Sequence, residues 1–193
     1  MKYYLAVLCV LILSSCINQP PLPTDHYYRL RAVQDINPDK EIVNSISVII
    51  FQADGLYRER AILYSENEIE VKQYHYHHWI DSPNRLLQEH LADRLRLSKI
   101  SKVVLTTFEG NSNFIVKGKI KAFEQKKSGD QSSAHVSIEF RVDSNNQNLP
   151  ILYKQYTQVV GSEAPSITSV ISAFEIAVNN IYESFYNDLK EVL

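Results

Sequence analysis

Two consecutive segments in the second half of the chain alternate strictly between apolar and polar residues. Such alternation predicts β-strands in a sheet with one buried face and one solvated face. Turn-forming residues at 126–133 and 143–150 separate them from each other and from a third segment, 151–160. This third segment alternates less regularly and leaves Tyr153, Tyr156 or both partly exposed. The three segments predict an antiparallel meander. Its expected buried face comprises Phe114, Val116, Gly118, Ile120 and Ala122, followed by Ala134, Val136, Ile138, Phe140 and Val142.

The C-terminal segment predicts one long amphipathic helix. After Pro165 and Ser166, apolar residues recur at steps of three and four up to Val192. This spacing places them on one side of a helix with 3.6 residues per turn. The stripe either packs against the sheet of the same domain or forms a groove for a helix of a partner. Its members are Ile167, Ile171, Phe174, Val178, Ile181, Phe185, Leu189 and Val192.

A shorter helix is predicted after Ser82, which suits the N-cap position. Pro83 suits the first helical position, because the N–H that proline lacks would have no partner there. The apolar stripe that follows consists of Leu87, Leu91 and Leu95, with Leu86 and His90 beside it. We expect the charged residues to point mostly away from the sheet; they are Glu89, Asp93, Arg94 and Arg96.

The first half also predicts several short strands. Branched and aromatic residues place them at 26–33, 45–51, 61–64, 68–74 and 102–107. The third and fourth strands form a hairpin, and residues 45–107 resemble a strand, helix, strand unit with that hairpin inserted. The predicted fold class is therefore α/β. We expect a single layered domain, a mixed β-sheet with an antiparallel meander and two principal helices.

The N-terminus predicts export rather than a membrane span. Residues 3–13 are apolar and uncharged and follow Lys2, but they make up only about half of the ~20 residues that a spanning helix needs. The length fits a signal peptide at 1–15. Leu13-Ser14-Ser15-Cys16 resembles a bacterial lipobox, in which the Cys16 thiol receives a diacylglyceryl group and the mature, palmitate-bearing chain begins at Cys16. The alternative is an ordinary cleaved signal with a chance cysteine.

Lipidation at Cys16 would leave no thiol in the mature chain, since Cys9 lies in the signal peptide. The domain at 25–193 then depends on a packed core instead of disulfides, although the compartment is oxidising. The segment 16–24 contains three prolines and predicts an extended spacer. Ile17, rather than an aspartate, follows the cysteine, which favours a lipid anchor in the outer membrane with the domain on the periplasmic face.

Composition excludes some classes of function. The chain is 45% hydrophobic and 22% charged with a net charge of -2, which is typical of an ordered globular protein and argues against a nucleic-acid partner. His75 and His77 would share one face of a strand and suggest the start of a metal site, but no further ligand at suitable spacing follows. An amphipathic, half-exposed strand or loop is the favoured explanation of this segment. Catalytic motifs are absent, so we expect no metal, no cofactor and no enzyme.

Several of these features occur together: the lipobox, the proline spacer, Tyr-Tyr-Arg-Leu at 27–30, Ile-Leu-Tyr at 62–64, and an aromatic segment that leads through a proline into a leucine-rich helix. In this combination the chain resembles the ABC-type transport auxiliary lipoprotein family, which includes the lipoprotein of the paraquat-inducible system. The resemblance is densest over 61–95, where Tyr64, Trp79, Leu86, Leu87 and Leu91 match. Ser65 stands where an arginine is expected, and a proline expected near Ala53 is missing.

The resemblance implies a non-enzymatic role beside an ABC transporter permease and ATPase and a mammalian-cell-entry (MCE) domain protein that moves lipids or other hydrophobic molecules. The lipoprotein would dock this periplasm-spanning partner at the outer membrane. Aromatic residues are favoured at interfaces, so we expect the partner-binding face at Tyr74, Tyr76 and Trp79, unless Trp79 fills the core. Homo-oligomerisation stays open. The alternatives are a lipoprotein that binds a lipid or small apolar ligand between sheet and helices, or a structural assembly lipoprotein.

Overall fold

The computed structural model describes residues 22–31, 38, 40–67, 69–107 and 112–193. The predicted signal peptide and Cys16 lie outside the described residues. The described part contains nine β-strands and two α-helices, with a short 3-10 turn (Gly55–Arg58) after the third strand. In chain order the elements are β1 (His26–Tyr28), β2 (Val43–Val48), β3 (Gln52–Ala53), β4 (Ala61–Ser65), β5 (Val71–Trp79), α1 (Pro83–Ser98), β6 (Ser101–Leu105), β7 (Phe114–Ser128), β8 (Gln131–Ser144), β9 (Leu152–Gly161) and α2 (Ile167–Val192).

Strand β7 connects the two halves of the sheet. One of its edges pairs in parallel with three strands in succession, β2 at 114–116, β3 at 119–120 and β4 at 124–126. Its other edge pairs with the antiparallel β8, which in turn pairs with β9. Beyond β2 lies β6, and beyond β4 lie β5 and then β1. The predicted mixed sheet with an antiparallel meander is confirmed, as is the hairpin of β4 and β5.

The buried face of the meander is as predicted along β8, where the five expected residues are fully buried. In β7 the alternation fails after Ile120. The register with β8 shifts between Ile120 and Ala122, so Ala122 lies opposite Ser137 and Phe123 opposite Val136. Cross-strand partners share a face. Ala122 is buried, as predicted, but on the opposite side of the sheet from Ile120, because the bulge at this point turns Phe123 toward the core instead.

Helix α1 begins at Pro83, as predicted. Ser82 has the extended conformation of an N-cap, but its hydroxyl makes no capping bond, and its carbonyl accepts from the N–H groups of Arg85 and Leu86. The helix follows the β4–β5 hairpin and leads into β6, which pairs in parallel with β2, so the predicted strand, helix, strand unit with an inserted hairpin is confirmed. Arg94 was expected to point outward but is buried, because it reaches α2 and forms an ion pair with Glu183.

Helix α2 carries the predicted apolar stripe. The Ser166 side chain accepts a hydrogen bond from the backbone N–H of Ser169 and caps the first turn. From Ile171 to Leu189 the stripe is buried against β8 and β9 of the same domain, while Val192 at the end is 39% exposed. Within the described residues the stripe is thus core packing, not a groove for a partner helix. No helix in the described ranges combines the length and apolarity needed to cross a bilayer.

Aromatic side chains fill the space between the sheet and the helices. The ring of Trp79 lies 5.0 Å from that of Phe123 and edge-on to that of Phe174 at 5.3 Å. Phe140 of β8 stacks on Phe185 of α2 at 4.2 Å. Aromatic pairs of this kind contribute about 0.5–1.5 kcal/mol beyond the burial of their surface. The core therefore joins β5, β7 and β8 to α2 without a disulfide.

Candidate functional site

The aromatic strand β5 contains a large bulge. Ala61 of β4 lies opposite His78, whereas Leu63 lies opposite Gln73. The four residues 74–77 of β5 therefore face a single residue of β4. Bulges of this kind bend a strand and redirect its side chains, and they are frequent beside functional sites. This bulge decides the position of each predicted partner-binding residue.

The three predicted residues do not share one surface. Tyr76 is 46% exposed at the bulge. Tyr74 is partly buried, and its hydroxyl donates to Gln125 Oε1 at 2.9 Å. Trp79 is only 1% exposed. Trp79 therefore offers no surface to a partner, and its assignment to the binding face is corrected to a core role. Of the three, Tyr76 is the residue that a partner can reach.

The histidines of β5 do not converge on a metal position. His75 is exposed, with its ring 6.3 Å from that of Tyr76. His77 instead lies 2.9 Å, through Nδ1, from the hydroxyl of Tyr28 in β1. Among the residues that the structure describes, no group of three or more His, Cys, Asp or Glu side chains is placed to hold a metal ion.

The histidines form a seam between β5 and the N-terminal strand β1. The two strands are parallel, with His26 opposite His77. Those two rings stack at 5.3 Å, and Tyr27 lies 5.5 Å from His78. Asp25 approaches His78 Nε2 at 3.4 Å. Sequence reasoning missed this seam, because its two sides are about fifty residues apart and no local pattern connects them.

Two helices hold the chain just after β1. The Arg31 N–H donates to Glu175 Oε1 at 2.7 Å, and the Arg31 side chain forms an ion pair with the same carboxylate. His90 Nε2 of α1 lies 3.0 Å from the Arg31 carbonyl oxygen. Burial holds the pKa of His90 below its usual value. The N-terminal segment is therefore attached to the domain at β5 and again at Arg31.

A second polar cluster surrounds Glu124 of β7. The Tyr57 hydroxyl donates to Glu124 Oε2 at 2.9 Å, and the Ser65 hydroxyl lies 3.4 Å from Oε1. His135 Nδ1 is 3.8 Å away. His135 and Tyr57 hold the pKa of the Glu124 carboxyl below its usual range, although burial opposes this. Ser65 bonds to the carboxylate and not to a histidine, so the cluster does not form an activated nucleophile. Its hydrogen bonds instead stabilise the buried Glu124 carboxylate.

One alternative function places an apolar ligand between the sheet and the helices. The rings of Trp79, Phe123 and Phe174 pack against one another there and fill the space. A solvent-open cleft of about 350 Å³ lies beside the 3-10 turn, where Leu56, Tyr57 and other residues line it. Its volume lies at the lower end of the range of about 300–1,000 Å³ that pockets for drug-sized ligands occupy.

No family model and no curated protein matches the chain. Its fold is similar to that of protein XCC0632 from Xanthomonas campestris, described by the family model DUF330, with a TM-score of 0.74, 15% identity, and coverage of 83% of this chain and 92% of that one. A second crystal structure, of an uncharacterized protein, has a TM-score of 0.69 and 12% identity, and the match covers 88% of this chain and 99% of that one. The lipoprotein GNA1162 from Neisseria meningitidis is more distant, with a TM-score of 0.41 and 9% identity over 75% of this chain and 99% of that one. The chain thus shares its fold with the first two proteins.

Proposed function

We propose that this chain is an outer-membrane lipoprotein that serves an ABC/MCE-type transport system for hydrophobic molecules and docks its periplasm-spanning component. The observation that carries the proposal is the order of segments in the N-terminal sequence. A lipobox-like Leu13-Ser14-Ser15-Cys16 and a proline spacer lead directly into β1, which is attached to the edge of the sheet. A folded domain held at a membrane by such a tether suits a docking role, and the proposed role is non-catalytic.

The bulge of β5 supports a docking face close to this tether. Tyr76 is exposed there, and β1, the first strand after the spacer, pairs with the same strand β5. Tyrosine contributes large contact area at interfaces with little loss of conformational freedom. A partner that binds at Tyr76 would therefore meet the domain on the strand where the membrane tether arrives.

Lipidation is tested by metabolic labelling with an alkyne-bearing palmitate analogue. We expect the wild-type chain and Cys9→Ala to be labelled and Cys16→Ala to remain unlabelled. Cys9 is the matched control, because it lies in the segment that cleavage would remove. Label on Cys16→Ala would overturn the anchor. Membrane fractionation of Ile17→Asp then tests the location, since we expect this variant to move from the outer to the inner membrane.

The transport role is tested with the genes beside this one. Genes for a permease, an ATPase and an MCE-domain protein are expected there, and the tagged full-length chain should recover that MCE-domain protein from membranes. Tyr76→Ala should reduce the recovery by about fivefold or more, as expected for an aromatic residue central to an interface. Tyr153→Ala is the matched control, because Tyr153 is also an exposed tyrosine but lies on β9. Equal recovery with both variants would exclude Tyr76 as a contact, and no recovery with the wild type would overturn the role.

A further inference from the structure

The seam between β1 and β5 concentrates three histidines on a very short strand pairing. Only three residue pairs join the two strands, and two of these pairs contain the rings of His26, His77 and His78. His26 stacks on His77, and His78 follows His77 directly in β5. A strand of three residues has few hydrogen bonds with which to resist a change of charge at its own side chains.

The groups around His77 oppose a positive charge on it. Burial and the neighbouring His26 and His78 hold the pKa of His77 below its ordinary value of 6.5. The neutral Nδ1 of His77 can accept from the Tyr28 hydroxyl, and a protonated ring would have to reverse this bond. The closed seam therefore favours neutral His77.

The other charged groups around the seam do not compensate for that charge. Asp25 lies beside His78, at 3.4 Å from its Nε2. The guanidinium of Arg60 lies 5.2 Å from the centre of the Tyr27 ring. On the far side Tyr74 meets His77 edge-on, and the Lys127 ammonium lies over the Tyr74 ring at 4.7 Å. Among the described residues named here, the seam therefore has one carboxylate, two cations and three histidines.

We propose that β1 is a latch that opens as the pH falls from neutral to about 5, and that its opening lengthens the tether between Cys16 and the domain. Because the closed seam disfavours protonation, it is stable above a pH of about 6.5 and weakens as the pH falls below that value. The attachment at Arg31 lies beyond β1. Leu30, just before it, is buried in the core. Opening therefore adds residues 25–29 to the spacer, an extension of roughly 17 Å.

The first half of the proposal is independent of the anchor, whereas the lengthening rests on the proposed lipidation of Cys16. Hydrogen exchange of the full-length chain in detergent, with exchange times corrected for the intrinsic rate at each pH, tests the latch. We expect protection of the amides at 26–29 to fall by about tenfold between pH 7.5 and 5.5. Amides of β8, which report the global stability, should lose less protection than those of β1. Equal protection of 26–29 at both pH values, or a parallel loss in β8, would overturn the latch.

Histidine variants distinguish an effect of pH on the β1–β5 seam from a general loss of stability in acid. His77→Phe keeps a ring against His26 but cannot be charged, so its β1 protection should not respond to pH. His75→Phe is the matched control on the same strand, where the side chain is exposed, and it should respond like the wild type. If His77→Phe loosens β1 at every pH, His77→Gln keeps a side-chain acceptor for the Tyr28 hydroxyl and cannot be charged. A full pH response in His77→Gln would then refute the proposal.

The lengthening is measured on vesicles that contain a dansyl-labelled lipid. Trp79 is the one tryptophan of the chain and serves as the energy donor. Transfer to the lipid should fall between pH 7.5 and 5.5 for the wild type and stay constant for His77→Phe. Cys16→Ala should show the same hydrogen exchange as the wild type but no transfer. Constant transfer in a wild type whose β1 opens would overturn the lengthening and leave the latch intact.

Discussion

The ring of Phe51 lies directly against the backbone of Gly118 in β7. A Cβ atom added at Gly118 would approach the Phe51 ring carbons to 2.7 Å, closer than carbon atoms can pack. Phe51 cannot move aside easily, because it is buried and meets the Phe140 ring edge-on at 5.6 Å. We therefore expect Gly118→Ala to lower the free energy of unfolding by about 1–3 kcal/mol.

Urea unfolding followed by circular dichroism measures this loss. Gly161→Ala is the control, because a Cβ at Gly161, at the end of β9, meets no atom within 4 Å. This variant should keep the stability of the wild type to within about 0.5 kcal/mol. Equal stability of the two variants would show that the Phe51 ring yields to a methyl group.

Trp79 and Tyr76 are close in sequence but should respond to truncation in opposite ways. Trp79→Ala removes a buried ring that contacts Phe123 and Phe174, so it should cost about 3–5 kcal/mol of stability. Tyr76→Ala removes a half-exposed side chain and should change stability by less than about 0.5 kcal/mol. Thermal unfolding of both variants checks this. A marked loss of stability in Tyr76→Ala would make it unsuitable as a binding variant.

A buried hydroxyl joins the two helices. The Tyr182 hydroxyl of α2 donates to the Leu87 carbonyl oxygen of α1 at 2.8 Å, and Tyr182 is fully buried. Tyr182→Phe keeps the ring and removes only this bond, so we expect a loss of about 1 kcal/mol. Tyr153→Phe removes an exposed hydroxyl and should be neutral. Chemical denaturation distinguishes the two, and equal stability would show that the bond makes no net contribution.

Acid should destabilise the domain in two separate steps. The pKa of His90 is lowered by burial, so its contribution is complete above a pH of about 6.5 and is lost as the pH falls below that. The pKa of Glu124 is also lowered, so its contribution is present above about 4.5 and is lost below that value. Unfolding free energies measured from pH 8 to 3 test this.

Two variants assign the steps. His90→Gln should flatten part of the decrease between pH 6.5 and 5, whereas Glu124→Gln should flatten part of the decrease below 4.5. The remaining dependence in the first window comes from other histidines such as His77, whose pKa is lowered as well. A His90→Gln profile parallel to that of the wild type would show that His90 titrates alike in the folded and unfolded chain.

Sequence patterns predicted the elements whose environment is uniform along their length. Strand β8 has β7 on one side and β9 on the other, so its alternation at 134–142 matched the buried face throughout. Helix α2 lies on one side of the sheet, and its stripe from Ile171 to Leu189 was equally readable. In both cases the same side of the element packs against the core along its whole length, so a single sequence period predicts the buried residues.

The patterns failed where the pairing changes along a strand. The bulge after Ile120 and the four bulged residues of β5 depend on neighbouring strands, not on the local sequence. The bulge in β5 breaks the alternation between Tyr74 and Trp79. Aromatic residue type alone therefore predicted an interface at Trp79, which the structure places in the core. The Tyr28 contact with His77 spans 49 positions and has no local signal.

The sharing of one edge of β7 by three strands has a consequence for the order of folding. Strands β2, β3 and β4 are all synthesised before residues 114–126, with which they pair. A growing chain that ends before β7 lacks the common ladder of these strands, and such long-range pairing slows folding. The pairing of β2, β3 and β4 along one common edge is therefore completed only after more than half of the polypeptide has been synthesised.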